Sequence, residues 1–314
     1  ISKDFIMTNN MKAVVYTSYG APDVLKVVEM KKPRPKDGEL LVRVHAATVT
    51  SGDVRLRASD FPPLFWLPAR LIFGPFKPKK KILGHEFSGI VETVGMDVTK
   101  FKIGDAVFGT TTMLPTGSYA EYLCLPQVWK HGVVALKPDN LDFGEAAALP
   151  IGAMTALFLW NKAKLSKGQK VLVYGASGSV GSYAVQIAKL NGATVTAVCS
   201  GANFNMVKNL GADALIDYTQ QDYTKGQEKF DIVFDAVGKS PKSKKVLKQG
   251  GVFVSTKMIT KERIEDLLQI KQWAEDQKLI PSVDRYFDLD AIVEAHFYVE
   301  SGRKRGNLVL KIQP

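Results

Sequence analysis

The stretch Val-Leu-Val-Tyr-Gly-Ala-Ser-Gly-Ser-Val-Gly, residues 171–181, is the most informative part of this chain. An apolar run leads into Gly175, Gly178 and Gly181, and a helix-compatible segment follows as far as Leu190. Glycines let a backbone pass close to a pyrophosphate, and the next helix offers free N–H groups and the positive end of its dipole. The stretch therefore predicts a strand–turn–helix unit that binds a dinucleotide.

Further apolar runs follow this unit and alternate with helix-compatible segments. They are Thr194–Cys199, Ala214–Asp217, Phe230–Asp235 and Gly251–Ser255. This alternation is typical of a parallel sheet that is covered by helices on both faces. We therefore predict an α/β fold with a doubly wound parallel sheet of the Rossmann type in this half of the chain.

The region before the glycine-rich stretch has a different pattern, with short strand-like runs separated by turn signals such as Lys36-Asp37-Gly38. The runs are Met11–Tyr16, Leu25–Glu29, Glu39–Thr48, Phe87–Val94, Ala106–Phe108 and Ser118–Leu125. Short strands at this spacing predict an all-β unit, either a barrel or a distorted sandwich. After Lys261, two helical patterns and a last strand, Asn307–Ile312, end the chain.

Composition sets limits on the class of protein. The chain has 314 residues, of which 46% are hydrophobic and 23% charged, as in ordinary globular proteins of about two domains. Two cysteines, Cys124 and Cys199, favour a reducing compartment, and we expect a cytoplasmic location. The most apolar stretch, Phe61–Phe76, is interrupted by four prolines and Arg70, so we expect neither a membrane span nor a membrane partner. Residues 1–10 fit no element and are interpreted as an extension.

Basic residues exceed acidic ones by 11. They cluster at Lys77–Lys81, Lys242–Lys248 and Arg303–Arg305. Such an excess can attract nucleic acid or an anionic cofactor, but most runs of this kind are solvated surface. No nucleic-acid-binding module accompanies them, so we do not expect a nucleic-acid partner.

Motifs along almost the whole of Met11–Pro314 resemble those of the medium-chain dehydrogenase/reductase superfamily. Gly84-His85-Glu86-Phe87-Ser88-Gly89 is similar to its GHExxG signature, and Lys102–Val107, Gly117–Tyr122, Ala146–Thr155 and Gly175–Gly181 match further family segments. The resemblance implies a GroES-like β-barrel domain at 11–128 and 262–314, and a Rossmann NADP-binding domain at 129–261.

Zinc-containing members of this family hold a catalytic metal with a Cys, the His of the GHE motif, and a later Cys or acid. Here these positions are Thr50, His85 and a residue near Ile151. One ligand of three is present, whereas a catalytic zinc needs about three. We therefore expect no metal and interpret His85 as a hydrogen-bonded interior histidine. The chain most resembles the zinc-free, quinone oxidoreductase-like branch.

That branch implies hydride transfer from NADPH to an α,β-unsaturated carbonyl compound (an enal or enone) or to a quinone. The oxyanion that develops on the substrate needs preorganised donors. Thr50 and Ser51 occupy positions that line the family's active-site cleft, and Arg55 or Arg57 would add positive charge. We name Thr50, Ser51 and Arg55 as candidate catalytic residues, while each has a structural alternative: hydrogen bonding to local backbone for Thr50 and Ser51, and solvent exposure for Arg55. Asp53 could anchor the loop through an arginine.

Cofactor contacts are carried over from the same resemblance. An acid usually ends the second strand of NAD-preferring enzymes, and here Ser200 stands in that loop without one, so we prefer NADP(H) to NAD(H). Lys208 and Tyr218 are candidate neighbours of the 2′-phosphate. The candidate cofactor-binding residues are Thr155, Ala176, Ser177, Gly178, Ser179, Val180, Ser200, Tyr218, Ala236, Val237, Phe253, Val254, Ser255, Arg305 and Asn307.

Other functions remain open at this point. One is an enoyl reductase for acyl chains on a carrier protein, with Lys77–Lys81 as the docking patch; another is a non-catalytic NADPH-binding or RNA-binding role of the zeta-crystallin type. The aromatic residues Phe61, Phe65, Trp66 and Phe73 either cover an apolar substrate or pack the domain. Only Thr256–Thr260 stands where relatives carry a sixth strand and a dimer contact, which argues against dimerisation through that edge. The family resemblance by itself implies a homodimer.

Overall fold

The computed structural model describes residues 9–61, 63–238 and 241–313, without the side chains of residues 64, 65 and 241. Residues 1–8 of the predicted extension 1–10 lie outside these residues, but its last residue, Asn10, already belongs to a strand, so the predicted extension is too long. The strands are β1 (Asn10–Val15), β2 (Lys26–Lys31), β3 (Glu39–Thr48), β4 (Glu86–Val94), β5 (Ala106–Thr110), β6 (Tyr122–Pro126), β7 (Val134–Leu136), β8 (Lys170–Tyr174), β9 (Thr194–Cys199), β10 (Ala214–Asp217), β11 (Phe230–Asp235), β12 (Leu247–Ser255), β13 (Val283–Asp288) and β14 (Asn307–Lys311).

Helices connect or flank these strands. They are α1 (Ser51–Ala58), α2 (Pro63–Phe73), α3 (Phe143–Ala147), α4 (Pro150–Ala163), α5 (Ser179–Leu190), α6 (Phe204–Asn209), α7 (Ile264–Glu275) and α8 (Ile292–Glu300). None of the helices within the described ranges is both long and apolar enough to cross a membrane.

The chain forms two compact units. Of the described residues, the first unit contains 9–137, 285–303 and 308–313, and the second contains 138–284 and 304–307. The domain assignment 11–128 with 262–314 against 129–261 stays a prediction.

The second unit is built on a parallel sheet with strand order β10-β9-β8-β11-β12. The first strand of the unit, β8, is central, and the order reverses between β8 and β11, which is the point where open α/β sheets bind their ligands. β8 and β11 are buried along most of their length, as is usual for the inner strands of a parallel sheet. The predicted parallel sheet is confirmed, and its strands β9, β10 and β11 begin and end at the predicted residues.

The first unit contains a mainly antiparallel sheet with the order β13-β14-β3-β4-β5-β7, in which β6 also pairs with β3, and a separate β1–β2 ribbon. β3 is the longest strand, and it pairs with β4, β6 and β14. In this unit, the sequence analysis missed β7, β13 and the helices α1 and α2. Turn-like residues and prolines hide the helical pattern of α1 and α2, because Pro68 lies inside α2 and Gly52 inside α1.

A buried ion pair links α1 to α8 inside the first unit. Arg57 is 0% exposed, and its Nη2 donates to the Glu300 carboxylate. Within the described part of the chain, Arg57 Nε and Nη1 lack a hydrogen-bond partner. A buried guanidinium with one carboxylate partner depends strongly on that partner.

We expect Glu300→Ala to lower the free energy of unfolding by about 2 kcal/mol, because it leaves the Arg57 charge unpaired in the interior while Glu300 itself is partly exposed. Glu300→Gln should cost less, since its amide oxygen still accepts from Arg57. Glu294→Ala on the exposed side of α8 is the matched control. Urea unfolding of the three variants measures the effect, and equal losses for Glu300→Ala and Glu294→Ala would contradict it.

Candidate functional site

The glycine-rich turn of the second unit has the close backbone packing that a dinucleotide loop requires. Gly175 has a φ of +78°, and a Cβ on Gly181 would lie 2.1 Å from the Gly175 carbonyl oxygen. At Gly178, by contrast, a Cβ would lie 3.5 Å from its nearest neighbour, the same carbonyl oxygen, so the approach to this residue is open. Helix α5 begins next to it, and the N-cap glycine leaves the first N–H groups of the helix without a side-chain cap. The residues present therefore fit a bound pyrophosphate.

Most predicted cofactor contacts lie at one edge of the parallel sheet. Ala176–Val180, Ser200, Tyr218 and Ala236–Val237 directly follow β8, β9, β10 and β11, and Phe253–Ser255 ends β12. Because the strands are parallel, their carboxyl ends meet at this edge. Thr155 is half-buried within α4. The structure thus brings the loop candidates together, while their contacts with a cofactor stay a prediction.

Two predicted cofactor contacts, Asn307 and Arg305, come from the C-terminal part of the second unit, and they differ in burial. Asn307 is buried: its Oδ1 accepts from Ser179 Oγ at 2.6 Å, and its Nδ2 donates to Tyr183 Oη at 3.2 Å. Next to it, Gly306 N–H donates to Ser177 O at 2.8 Å. These bonds attach the end of the chain to the glycine-rich loop, so we expect Asn307 to position that loop. Arg305 is half-exposed beside Asp284.

Sequence reasoning missed two polar residues of this edge. Asn203 Nδ2 donates to both Ser177 Oγ and Ser200 Oγ, at 3.0 and 3.1 Å. The carboxylate of Asp217, at the end of β10, lies against Gly201, where a Cβ would be 2.6 Å from Oδ2. Hydrogen bonds from the Thr219 hydroxyl and backbone lower the pKa of Asp217. An acid therefore stands near the Ser200 loop, although it comes from the neighbouring strand.

Asp53 is the central polar group of the first unit. This side chain is fully buried, and it accepts hydrogen bonds from Gly84 N–H at 2.9 Å and from Thr50 Oγ at 2.5 Å. Its Oδ1 lies 2.7 Å from His85 Nδ1. Burial raises the pKa of Asp53, but the charge and hydrogen bond of His85 and the bonds from Thr50 outweigh it, so the pKa is well below its ordinary value. Asp53 is thus an ionised carboxylate that anchors the loop through His85 and Gly84, where an arginine had been considered.

The three candidate catalytic residues lie on or beside α1. Thr50 is the N-cap: its Oγ accepts from Asp53 N–H at 3.0 Å, and its own proton is directed at the Asp53 carboxylate. Ser51 and Arg55 are exposed on the first turns of the helix. The hydroxyl of Thr50 is therefore engaged as a cap, and the catalytic roles of the three residues stay predictions. Arg57, considered as a further positive group, is occupied by Glu300.

A pocket of about 350 Å³ opens inside the first unit next to this network. It is lined mainly by apolar side chains. The lining residues are Tyr16, Leu56, Ile72, Phe73, Lys79, Lys80, His85, Thr112, Met113, Leu114 and Pro115. The imidazole of His85 is partly exposed, with its Nδ1 held by Asp53. A hydrogen bond of this kind fixes the orientation of the ring and leaves Nε2 for a ligand.

Lys80 is the residue of this pocket that sequence reasoning missed. Its Nζ lies 3.3 Å from Thr111 Oγ1, which itself donates to Gly84 O at 2.6 Å. Burial lowers the pKa of Lys80 to about 8, while the charge of Asp53 acts in the opposite direction. An ammonium group has three N–H donors, and Thr111 takes one of them. In the sequence, Lys80 is the middle of a lysine run, and nothing there shows that it turns inward while Lys79 and Lys81 are exposed.

The positions that hold zinc in zinc-containing members carry a different donor set here. At the positions that hold metal in zinc-containing members stand Thr50 and Ile151, neither of which is a usual zinc ligand. Throughout the described ranges, no group of three or more His, Cys, Asp or Glu residues is arranged to hold a metal ion. The donor that is present, His85, is hydrogen-bonded to Asp53 through Nδ1.

Comparison with known proteins gives consistent results. The profile of the alcohol dehydrogenase GroES-like domain matches residues 36–138, and two profiles described as zinc-binding dehydrogenase match residues 179–279 and 255–310. The 2-methylene-furan-3-one reductase of Solanum lycopersicum is 34% identical over 98% of this chain and 81% of its own length. The NADPH-dependent alkenal/one oxidoreductase of Arabidopsis thaliana is 31% identical, over 99% and 82% of the two chains.

A solved structure supports the same relation. The quinone oxidoreductase of Coxiella burnetii superposes with a TM-score of 0.87 at 30% identity, covering 97% of this chain and all of the other. The predicted GroES-like and Rossmann architecture is therefore confirmed, as is the family resemblance drawn from the motifs. The chain belongs to the medium-chain dehydrogenase/reductase superfamily, in its quinone oxidoreductase-like branch.

Proposed function

We propose that this protein is a zinc-independent, NADPH-dependent reductase of small apolar α,β-unsaturated carbonyl compounds or quinones. The observation that carries the proposal is the apolar pocket in which a half-buried lysine, Lys80, stands with the Asp53–His85 pair. The glycine-rich turn of the second unit adds a fitting cradle for a nicotinamide dinucleotide. Its relatives named above as alkenal/one and furanone reductases act on such carbonyl compounds.

The chemistry of the substrate explains why Lys80 matters. When the C=C bond of an enone is reduced, negative charge develops on the carbonyl oxygen, and a preorganised donor in a water-poor pocket stabilises it strongly. The Lys80 ammonium supplies such a donor, held in place through Thr111. Apolar neighbours such as Phe73 and Leu114 then favour the hydrocarbon part of the substrate. NADPH supplies the hydride when bound.

His85 is the second polar group of the pocket, and its role is to hold a proton. Asp53 keeps Nδ1 hydrogen-bonded at 2.7 Å, so a proton that the ring passes to a substrate is carried on Nε2. Reduction of either an enone or a quinone needs one proton in addition to the hydride. We assign its delivery to His85, either directly or through a water molecule.

We propose zinc independence because of the residues that stand at the metal positions of zinc-containing members. A Lewis-acid mechanism would require ligands that Thr50 and Ile151 do not provide. The positive charge that a metal would bring to the carbonyl oxygen comes instead from Lys80.

The preference for NADPH rests on the loop after β9. Ser200 and Asn203 offer a hydroxyl and an amide there, and Tyr218 is 52% exposed, packed edge-on against Tyr174 at 6.4 Å. Lys208 on α6 is exposed and adds positive charge. Asp217 opposes this preference, but Thr219 already bonds its carboxylate. We also keep the expectations of a homodimer and a cytoplasmic location.

NADPH oxidation at 340 nm with a 2-alkenal, a cyclic enone and a quinone tests the proposal. We expect turnover of at least one of them, with kcat/KM about tenfold or more higher for NADPH than for NADH. Dialysis against a chelator should leave the rate unchanged, because Thr50 and Ile151 supply no metal ligands. Alcohol oxidation that a chelator abolishes would overturn the zinc-free mechanism, and NADPH binding without turnover would overturn the reductase assignment.

The contribution of Lys80 has a separate prediction. Because its pKa is about 8, the ammonium is present below that pH and is lost above it, so kcat/KM for the enone should fall as pH rises through about 8. Lys80→Met should lower kcat/KM by about 100-fold, the usual effect of losing one oxyanion donor. Lys80→Arg stays charged and should remove the decline near pH 8 while keeping more activity than Lys80→Met.

Lys81→Met is the matched control, since the neighbouring Lys81 side chain is exposed and outside the pocket. The other titratable residues that line the pocket are His85, Tyr16 and Lys79, and they and the buried Asp53 behind His85 are unchanged in all three variants. If Lys80→Met retained both the wild-type rate and the decline near pH 8, the role of Lys80 would be refuted while the reductase function stood.

A further inference from the structure

Helix α2 and the segment after it carry an unusual amount of exposed apolar surface. Leu67, Leu71 and Ile72 are 61%, 60% and 56% exposed, and Phe76, just beyond the helix, is 91% exposed. Trp66, one turn before Arg70, is 44% exposed. Leu67, Leu71 and Ile72 fall within one side of the helix at 100° per residue. Single exposed apolar residues are ordinary, but a contiguous group marks an interaction surface.

The charged side chains within this stretch of sequence are of one sign, and the exposed Asp60 stands just before it. From Phe61 to His85 the sequence contains no Asp or Glu, and Lys77, Lys79 and Lys81 are exposed. We name the set of Trp66, Leu67, Leu71, Ile72 and Phe76, with Lys77, Lys79 and Lys81, the basic apolar surface. Its chemistry complements a surface that is anionic outside and apolar immediately beneath.

The inner side of α2 is firmly attached to the first unit. Phe73 stacks on Phe61 with 5.8 Å between ring centroids, and the Arg70 guanidinium lies 4.1 Å from the Tyr19 ring centroid. Tyr19 Oη donates to the carbonyls of Phe73 and Gly74, each at 3.0 Å. The helix is therefore already formed and oriented, with its exposed face available at little ordering cost.

The exposed apolar side chains and the neighbouring lysines together indicate the kind of partner that this surface binds. We propose that the basic apolar surface binds the face of an anionic phospholipid bilayer, with α2 lying in the plane of the interface. At 11 residues, α2 is about 16 Å long, too short to span the hydrocarbon core of about 30 Å. A helix that exposes Leu and Ile side chains on one side, beside an exposed Phe and flanking lysines, is suited to insertion at the headgroup level. The expectation of no membrane partner considered spanning alone, and this proposal replaces it.

Membrane contact at this surface also bears on the pocket. Ile72 and Phe73 of α2 line the pocket described above, together with Lys79 and Lys80. An apolar quinone or alkenal dissolved in lipid would therefore meet the pocket from the membrane side. The bilayer contact itself does not depend on the proposed reaction, because it is carried by exposed side chains and their charges.

The test is sedimentation of the full chain with lipid vesicles in the absence of substrate. We expect binding to vesicles that contain about 30% phosphatidylserine, little binding to pure phosphatidylcholine, and loss of binding at about 1 M salt. Lys77→Gln/Lys81→Gln should weaken binding by about tenfold or more, since each lysine near an anionic surface contributes about fivefold. Leu67→Gln/Leu71→Gln should weaken it by a similar factor.

Matched controls are available in the same unit. Lys100→Gln/Lys102→Gln removes the same net charge from exposed positions elsewhere, and Met96→Gln/Ile103→Gln removes two exposed apolar side chains, 87% and 64% exposed. Both controls should bind like the wild type. A blue shift of tryptophan fluorescence on binding that disappears in Trp66→Phe would place the contact at α2.

Three results would overturn the proposal. One is vesicle binding that the test variants and the controls weaken equally. Another is no vesicle binding together with a dimer that Leu67→Gln/Leu71→Gln dissociates, because the surface would then contact a second copy. The third is no vesicle binding with a KM for carrier-bound enoyl chains that rises in Lys77→Gln/Lys81→Gln, which would assign the lysines to an acidic carrier protein. Enone turnover is measured separately, so failure here leaves the proposed function standing.

Discussion

The buried carboxylate of Asp53 is the group on which the arrangement of the first unit depends. It caps α1 through Thr50, holds the Gly84 backbone and orients His85, so the start of α1 and the Gly84-His85 segment meet at one charge. Such a charge is costly to bury unless every lone pair is used, and here both oxygens accept at least two bonds each. The same charge raises the pKa of Lys80 against the effect of burial, and so helps keep its ammonium protonated. One carboxylate therefore sets both the shape and the electrostatics of the pocket.

In the segment from α2 to Lys81, side chains that are stabilised by burial alternate with charged side chains that are stabilised by water. Apolar side chains and lysines lie side by side, and the chain separates them by depth: Lys80 turns inward to Thr111, while Lys77 and Lys81 stay in solvent. Removing Lys80 from water is unfavourable in itself, which is why its pKa falls to about 8. A charge kept at such a cost in an apolar pocket is typical of functional sites rather than of packing.

The two units differ in how far the sequence could predict them. Binding a dinucleotide imposes local backbone requirements, so Gly175–Gly181 and the strands β9, β10 and β11 could be predicted almost residue by residue. The pocket has no such local pattern. Lys80 faces inward because of Thr111 and Asp53, which lie about thirty residues away along the chain on either side, and the acid near Ser200 comes from β10 instead of β9. Contacts between distant segments decide these positions, and no periodicity or spacing encodes them.

In the proposed mechanism, Thr50 and Ile151 at the metal positions of zinc-containing relatives change what the rest of the pocket must provide. A zinc ion stabilises an oxyanion with a charge that does not titrate, whereas a lysine does so only while it is protonated. A pocket that relies on Lys80 must therefore be dry enough to make the ammonium effective, yet hold a nearby carboxylate to prevent its deprotonation. Asp53 meets the second condition because Thr50, Gly84 and His85 occupy its oxygens, so it supports the ammonium through space without pairing with it directly. Under the proposed function, the hydrogen bonds that hold Asp53 in place would also leave the donors of Lys80 to a substrate.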